Sequence, residues 1–489
     1  MKKYLILIIT TVALSSCKKW LDVKPQTEVE QEVLFSTEAG FMEAINGLYT
    51  RCAQQDMYGK ELSVGFPDVL AQNYSVSPED PNKYRQTLLY NYKDQDFMFR
   101  KDAAWRGLYN VIANSNIILE HVDKQKGVLT QPIYAIVKGE ALAMRAYCHF
   151  DVLRLFAASY VAEPNGKGIP YVTAFSKNVP RLYKTGEAID AMLQDLNAAK
   201  ELLRTADPIL TPGYKVGYDR TVDTSTEKDG PLFTQERRHH LNYYAVCGAL
   251  ARIYLYKNDH PNALLNALEV INANKFPWTK QSDFLNPDEE KRDRMLYKEL
   301  LFAVYISNAE TTDALRRLLR DGVSSLYVTL QEGRNIYETG SIGGEDFRYK
   351  QWFSEQSVSF GTYLRLEKYA RDPDRNIHPQ LGPAIRLSEM YYIAAECTFD
   401  SDPAKAWGYF NTVRLNRGIG TQRNDPSKAI FLQELVKEAR KEFFGEGQIF
   451  YMYKRLNISF PGSFGSTIPA TSSIFVLPFP DDEIAYGNR

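Results

Sequence analysis

The chain is poor in the residues that most often carry chemistry. Five cysteines and six histidines are spread through 489 residues, and no two cysteines have CxxC spacing. There is no HExxH zinc motif, and His239 and His240 are adjacent, so they point to different faces of a helix. No GxSxG elbow or cysteine–histidine signature marks a nucleophile. GSIGGED (340–346) lacks the lysine of a phosphate-binding loop and the GxGxxG spacing, and reads as a flexible turn. DPDRN (372–376) starts like a calcium loop. It then has Ile377 where the sharp turn needs glycine and Pro383 where a glutamate should close the site. An enzymatic reading therefore has no residue to stand on, and neither a metal nor another cofactor is expected. Charge of one sign is lacking as well. Lysine and arginine (59) balance aspartate and glutamate (60), so no overall field recruits nucleic acid. The apolar run at 4–14, YLILIITTVAL, falls short of the roughly 20 residues that a membrane-spanning helix needs.

That short run does have a reading. It follows Met1-Lys2-Lys3 and leads into Leu14-Ser15-Ser16-Cys17, the order of a basic segment, an apolar segment and a small-residue cleavage site. The last four residues resemble the lipobox of bacterial lipoproteins. A thiol there is the nucleophile that takes up diacylglycerol, and small residues before it admit the peptidase. The expectation is a signal peptide over 1–16 and a mature chain starting at Cys17, where two or more acyl chains anchor stably to a membrane. The alternative is an ordinary cleaved signal with an incidental cysteine. Of the other cysteines, Cys148, Cys247 and Cys397 lie in apolar helical stretches, where cysteine acts as a small hydrophobe. They and Cys52 are expected to be buried free thiols, although an export compartment would permit disulfides.

Helical periodicity dominates the rest. In IVKGEALAMRAYCHFDVLRLF, Ile136, Val137, Ala141, Met144, Cys148, Val152 and Leu155 recur at steps of mostly three and four. Further helices are predicted at about 40–56, 100–122, 184–204, 238–257, 261–273, 384–399, 403–416 and 428–445, while strand signals are weak. Two hairpins match tetratricopeptide spacing. Leu250, Ala251, Tyr254 and Ala263 mark the first, and Ile393, Ala394, Ala406 and Phe410 the second, with Pro261 and Pro403 restarting a helix after a turn. Either hairpin alone could be generic; two together point to repeats. The expected fold is all-α: tetratricopeptide-like helical hairpins in an α-α superhelix, one domain over 17–489. Loop-rich elaborations are expected at about 59–100 and 274–383, where helical patterning lapses and binding usually resides.

Tyrosine is abundant, with 32 copies beside 25 phenylalanines. Rings stud both irregular regions: Tyr74, Tyr84, Tyr90 and Tyr92 in the first, Trp278, Tyr327 and Tyr337 in the second. A sugar presents an axial C–H face that packs on an aromatic ring, while its hydroxyls need amide and charged partners such as Asn73, Arg334 and Asn335. The expected ligand contacts are Asn73, Tyr74, Tyr92, Trp278, Tyr327, Arg334 and Tyr337; the alternative is that each ring pins its own loop. Asp68, Glu79 and Asp80 in the first irregular region could serve as a carboxylate pair for catalysis, but they read best as solvated surface.

Eight segments, in a shared order, resemble the SusD/RagB family of Gram-negative outer-membrane lipoproteins. They are CKKWLDVKP (17–25), WRGLYNVIANSNIILE (105–120), GEALAMRAYCHFDVLRLF (139–156), GIPYV (168–172), AIRLSEMYYIAAEC (384–397), GYFNTVRLNRG (408–418), EARKEFFGEGQIFYMYKR (438–455) and LPFPDDEI (477–484). The resemblance implies tetratricopeptide-like hairpins, acylation at Cys17 and a lipid-anchored, surface-exposed place on the outer membrane. It further implies partnership with a SusC-like TonB-dependent barrel, over which the protein sits as a hinged lid. The implied ligand is a glycan or, in some members, a peptide, with no catalysis and no cofactor. Surface-export signals in such lipoproteins often place acidic residues just after the cysteine, whereas here Lys18-Lys19-Trp20-Leu21 precede Asp22. Two other readings are a repeat lipoprotein that scaffolds envelope proteins and a glycan hydrolase on a helical frame.

Overall fold

The computed structural model describes residues 26–176, 178–220, 223–320, 326–358, 361–370 and 376–487. Cys17, the signal segment and most of the DPDRN stretch lie outside the described residues.

The frame is a stack of antiparallel helices. After α1 (Glu38–Cys52) and the short α2 (Phe66–Leu70) come α3 (Gln95–Lys124), α4 (Gln131–Phe156) and α5 (Thr185–Arg204). Asp94 caps α3 by accepting from the Phe97 amide at 3.0 Å. The α3 core face carries Phe97, Ala104, Trp105, Leu108, Val111 and Ile112 at helical spacing. Helix α4 is buried on every side from Ala135 onward except Lys138, and packs between α3 and α5, so its apolar pattern wraps the whole circumference. The hairpin α6 (Tyr243–Tyr256) and α7 (His260–Asn272) follows, and α7 packs on α10 (Leu387–Thr398), which pairs with α11 (Pro403–Leu415). Asp259 and Asp402 cap the second helix of each hairpin, with proline in the first turn as the spacing predicts. Ala251, Ala263, Ala394 and Ala406 are fully buried where the helices close on one another.

Strands are more prominent than the sequence suggests. A four-stranded antiparallel sheet joins β1 (Ser75–Val76), β3 (Leu326–Thr329), β5 (Gly361–Leu366) and β4 (Phe353–Val358), in that order. A second pair consists of β2 (Leu300–Tyr305) and β6 (Leu381–Arg386). The helix expected at 384–399 therefore starts only at Leu387; Ala384, Ile385 and Arg386 belong to β6. All six residues of β6 are buried, so the run has no alternating face to betray it. Helices α8 (Ala309–Leu319) and α9 (Leu330–Tyr337) fill the second elaboration, and α12 (Lys428–Glu442) and α13 (Ile449–Leu456) close the fold. Cys52, Cys148, Cys247 and Cys397 are free, the first three buried and Cys397 half-buried.

Candidate functional site

The two elaborations meet where residues about 250 apart in sequence pair. Ser75 of β1 pairs with Tyr327 of β3, and the Ser75 hydroxyl donates to Glu332 Oε2 on α9 at 2.9 Å. Thr329 caps α9 through the Glu332 amide and donates to the same carboxylate oxygen. Gln72 is left-handed, with φ of 58°. Its amide nitrogen donates to Leu88 O and Tyr90 Oη, and its oxygen accepts from the Ser463 amide and hydroxyl. Arg440 of α12 donates to Asn73 Oδ1 at 3.0 Å and Gln72 O at 2.6 Å. Between these elements runs a groove of about 1470 Å³, lined by Thr329, Gln331 and Asn335 on one side and Lys437, Arg440 and Ser463 on the other. It offers amides, hydroxyls and charges, and no aromatic ring lines it among the described side chains.

The expected ligand residues divide. Tyr74 and Tyr337 are core rings: Tyr74 stands edge-on to Phe444 at 5.2 Å, and Tyr337 is fully buried with its hydroxyl on Lys441 O. Asn73 is buried beneath Arg440. These three have no surface left to meet a ligand, and they are corrected here to structural residues. Tyr92 stacks on Phe97 at 4.9 Å and donates to Ile474 O, pinning its loop to the C-terminal segment. Tyr84 and Tyr90 serve their loops too, through Glu61 and Leu70 O respectively. Trp278 is half-buried, tilted against Tyr391 at 5.2 Å with the Arg417 guanidinium 5.3 Å from its ring. Tyr327 of β3 is half-buried against Tyr363, while Arg334 and Asn335 lie exposed on α9, the helix that follows β3. Asp68 is not solvated surface. It accepts from the Gly445 and Gly447 amides at 2.6 and 2.9 Å, and burial pushes its carboxyl up to about 7. Asp80 folds its own turn by accepting from the Tyr84 and Arg85 amides.

One ring that faces outward escaped the sequence reading. Phe99 is 71% exposed on α3, about 200° around the helix from buried Phe97. It borders a concavity of about 630 Å³ with Gln55, Lys60, Lys83, Asp96 and Arg100. Arg100 shapes the wall: it lies over the Tyr84 ring at 4.0 Å, donates to Asn82 O at 2.9 Å and pairs with Glu61. Gln55 donates to Glu310 of α8, so this concavity, walled by Lys60 and Lys83 of the first elaboration, is tied to the second. An open ring face among amide, carboxylate and ammonium groups can stack an apolar face of a ligand while bonding to hydroxyls at its rim.

Stacked hairpins of tetratricopeptide type carrying a surface built from long insertions define a class of helical scaffold proteins. Within that class, residues 19–210 match the SusD-like family model described as starch-binding and associating with the outer membrane, and residues 250–473 match the model of the SusD family itself. The chain belongs to the SusD family. A SusD-like protein of Formosa agariphila is 22% identical, covering 88% of this chain and 85% of the relative. A SusD superfamily protein from Bacteroides thetaiotaomicron superposes with a TM-score of 0.74 at 21% identity, covering 92% of this chain and 98% of that one. A surface glycan-binding protein A from the same organism, solved in complex with laminarihexaose, superposes at 0.67 with 17% identity, over 93% and 99% of the two chains.

Proposed function

We propose that the protein is a non-catalytic, lipid-anchored nutrient-binding protein of the outer membrane. It captures an oligosaccharide at the Phe99 concavity and closes as the lid of a SusC-like TonB-dependent barrel. The observation that carries this reading is the exposure of Phe99 among Lys83, Asp96, Arg100 and Gln55, in a region that otherwise tucks its rings into packing. A sugar ring laid on that face buries apolar C–H groups, and its hydroxyls reach charged and amide partners without leaving them unpaired. The family description and the laminarihexaose bound by a structural neighbour support the same class of ligand. Among the residues expected from sequence, Trp278, Tyr327 and Arg334 keep solvent-facing surface and stay as ligand candidates apart from the Phe99 concavity, which they do not line. Acylation at Cys17 would supply the tether, and no cofactor takes part.

Affinity electrophoresis through gels cast with starch, laminarin, xylan, mannan or pectin tests capture. Retardation by at least one polymer is expected, and free migration in all of them refutes the glycan reading. Crosslinking and recovery from solubilised outer membranes tests the lid. A barrel with a plug domain should accompany the protein, and recovery of the chain alone would leave no lid.

A further inference from the structure

A third pocket, of about 980 Å³, shares no lining residue with either concavity above. Two stacked ring pairs wall it. Tyr297 lies on His378 at 3.6 Å and 20°, and Tyr305 on His239 at 5.4 Å and 16°. The rings are not equally available. Tyr297 is buried and has the Arg238 guanidinium 3.9 Å from its ring, whereas Tyr305 is 47% exposed at the end of β2.

The polar groups divide the same way. Glu227 is buried and consumed. Arg238 grips both its oxygens, at 2.7 and 2.5 Å, and the Gly217 amide and Ser225 hydroxyl donate to it as well. Arg238 therefore has no charge to spare for an anion. Beyond that pair the lining carries Lys228, Gln380 and Glu236, whose carboxylate is partly exposed beside His239 Nδ1. The Gln380 oxygen accepts from the Tyr305 hydroxyl at 2.5 Å, while its amide nitrogen makes no hydrogen bond among the described residues. His239 Nε2 is buried in the wall with no hydrogen-bond partner among the described residues. Backbone strain marks both walls. Glu236 and Leu296 are non-glycine residues at φ of 45° and 56°, and each opens a single 3₁₀ turn, one carrying His239 and the other Tyr297. Such strain persists only where surrounding structure holds it, and it concentrates at binding sites.

This chemistry suits a neutral, hydroxylated ring. An apolar ligand would leave Glu236 and Gln380 without partners as they lost water. Glu227 and Arg238 neutralise each other, and Glu236 and Lys228 set opposite charges in the lining, so neither an anion nor a cation meets a field of one sign. We propose that the pocket is a second saccharide position, in which one sugar ring lies on the open face of Tyr305 and its hydroxyls bond Glu236 and Gln380. The sugar class rests on the glycan-binding reading above; the second position does not depend on the Phe99 concavity.

The test is calorimetric titration of the mature chain with maltohexaose, laminarihexaose, cellohexaose, xylohexaose and mannohexaose, taken one at a time. For a sugar that binds, two positions per chain are expected. Tyr305→Ala should remove one, or weaken it about tenfold, the scale of losing one stacked ring; Phe99→Ala should spare that position and weaken the other. Tyr305→Phe keeps the ring and should retain most of the binding that Tyr305→Ala loses. The side chain is nearly half exposed, so an unchanged melting temperature will confirm that both variants fold. Binding that Phe99→Ala abolishes and Tyr305→Ala leaves untouched overturns the second position while the glycan reading stands. If no hexasaccharide binds, the second position falls, and the glycan reading falls with it when the protein also migrates freely through all five polymer gels.

Discussion

Phe99→Ala separates a ligand-facing ring from a packing ring by moving affinity and leaving stability in place. A sugar covering one face of the ring would bury roughly 70 Å² of apolar surface, a fraction of the 150–250 Å² that a whole aromatic side chain can bury. At about 25 cal/mol per Å² that face contributes about 1.8 kcal/mol, or about a twentyfold change in Kd. The folded state loses little in exchange. With 71% of the residue exposed, most of what is buried is its own helical turn, and that survives in alanine. Alanine also favours the helix by about 0.5 kcal/mol over phenylalanine. The net change in stability should lie within about 0.5 kcal/mol. Calorimetry against whichever polymer retards the native protein gives the first number, and thermal denaturation gives the second. Phe99→Trp should restore or strengthen binding. An affinity within twofold of native for Phe99→Ala would refute the placement of the ligand. A large drop in melting temperature would show that the ring serves the fold.

Two further outcomes test other parts of the molecule. Burial opposes ionisation of Glu438, but Arg348 and Lys441 outweigh it and hold its carboxyl at about 2. The folded value lies below the unfolded one, so the stability Glu438 lends is present above about pH 4.5 and is lost as pH falls toward 2. Glu438→Gln should cost about 3 kcal/mol at pH 7 in urea unfolding and flatten the acid limb; an unchanged acid limb would mean other carboxylates set it. For the tether, cells fed labelled palmitate should label the native chain and leave Cys17→Ala unlabelled and released from the membrane fraction. Equal labelling of both would exclude Cys17 as the acylated residue.

The fold was legible where its causes are local. Apolar residues at steps of three and four, with aspartate and proline at helix starts, place both hairpins within a few residues of where they stand. The sheet was not legible, because its cause is distant. β1 is two residues long and becomes a strand only by pairing with β3 about 250 residues later, and no window of sequence contains both. The charged stretch EARKE, which looks like a solvated helical face, is another nonlocal case. Glu438 and Glu442 are buried because Arg348, Arg417 and Arg386 arrive from other elements to meet them, and Lys441 because Glu338 and Glu438 meet it. Burial of a charge depends on a partner, and the partner leaves no mark beside it.

The same reasoning explains why tyrosines misled and a phenylalanine did not announce itself. A tyrosine in either elaboration has a hydroxyl that can bond any nearby carbonyl, as Tyr90 does with Leu70, Tyr92 with Ile474 and Tyr337 with Lys441. Each bond spends the polar tip on the protein and draws the ring inward, and two of the three acceptors lie more than 100 residues away. Richness in loop tyrosine is therefore evidence of pinned loops at least as much as of a platform. Phe99 has no such tip, and it lies in a helix whose buried face is fixed by Phe97, Ala104, Trp105 and Leu108. Two residues past Phe97, its side chain must leave that face. A large ring displaced from the core stripe of a regular helix is a signal that one local window contains, and it needs no knowledge of what the rest of the chain brings to it.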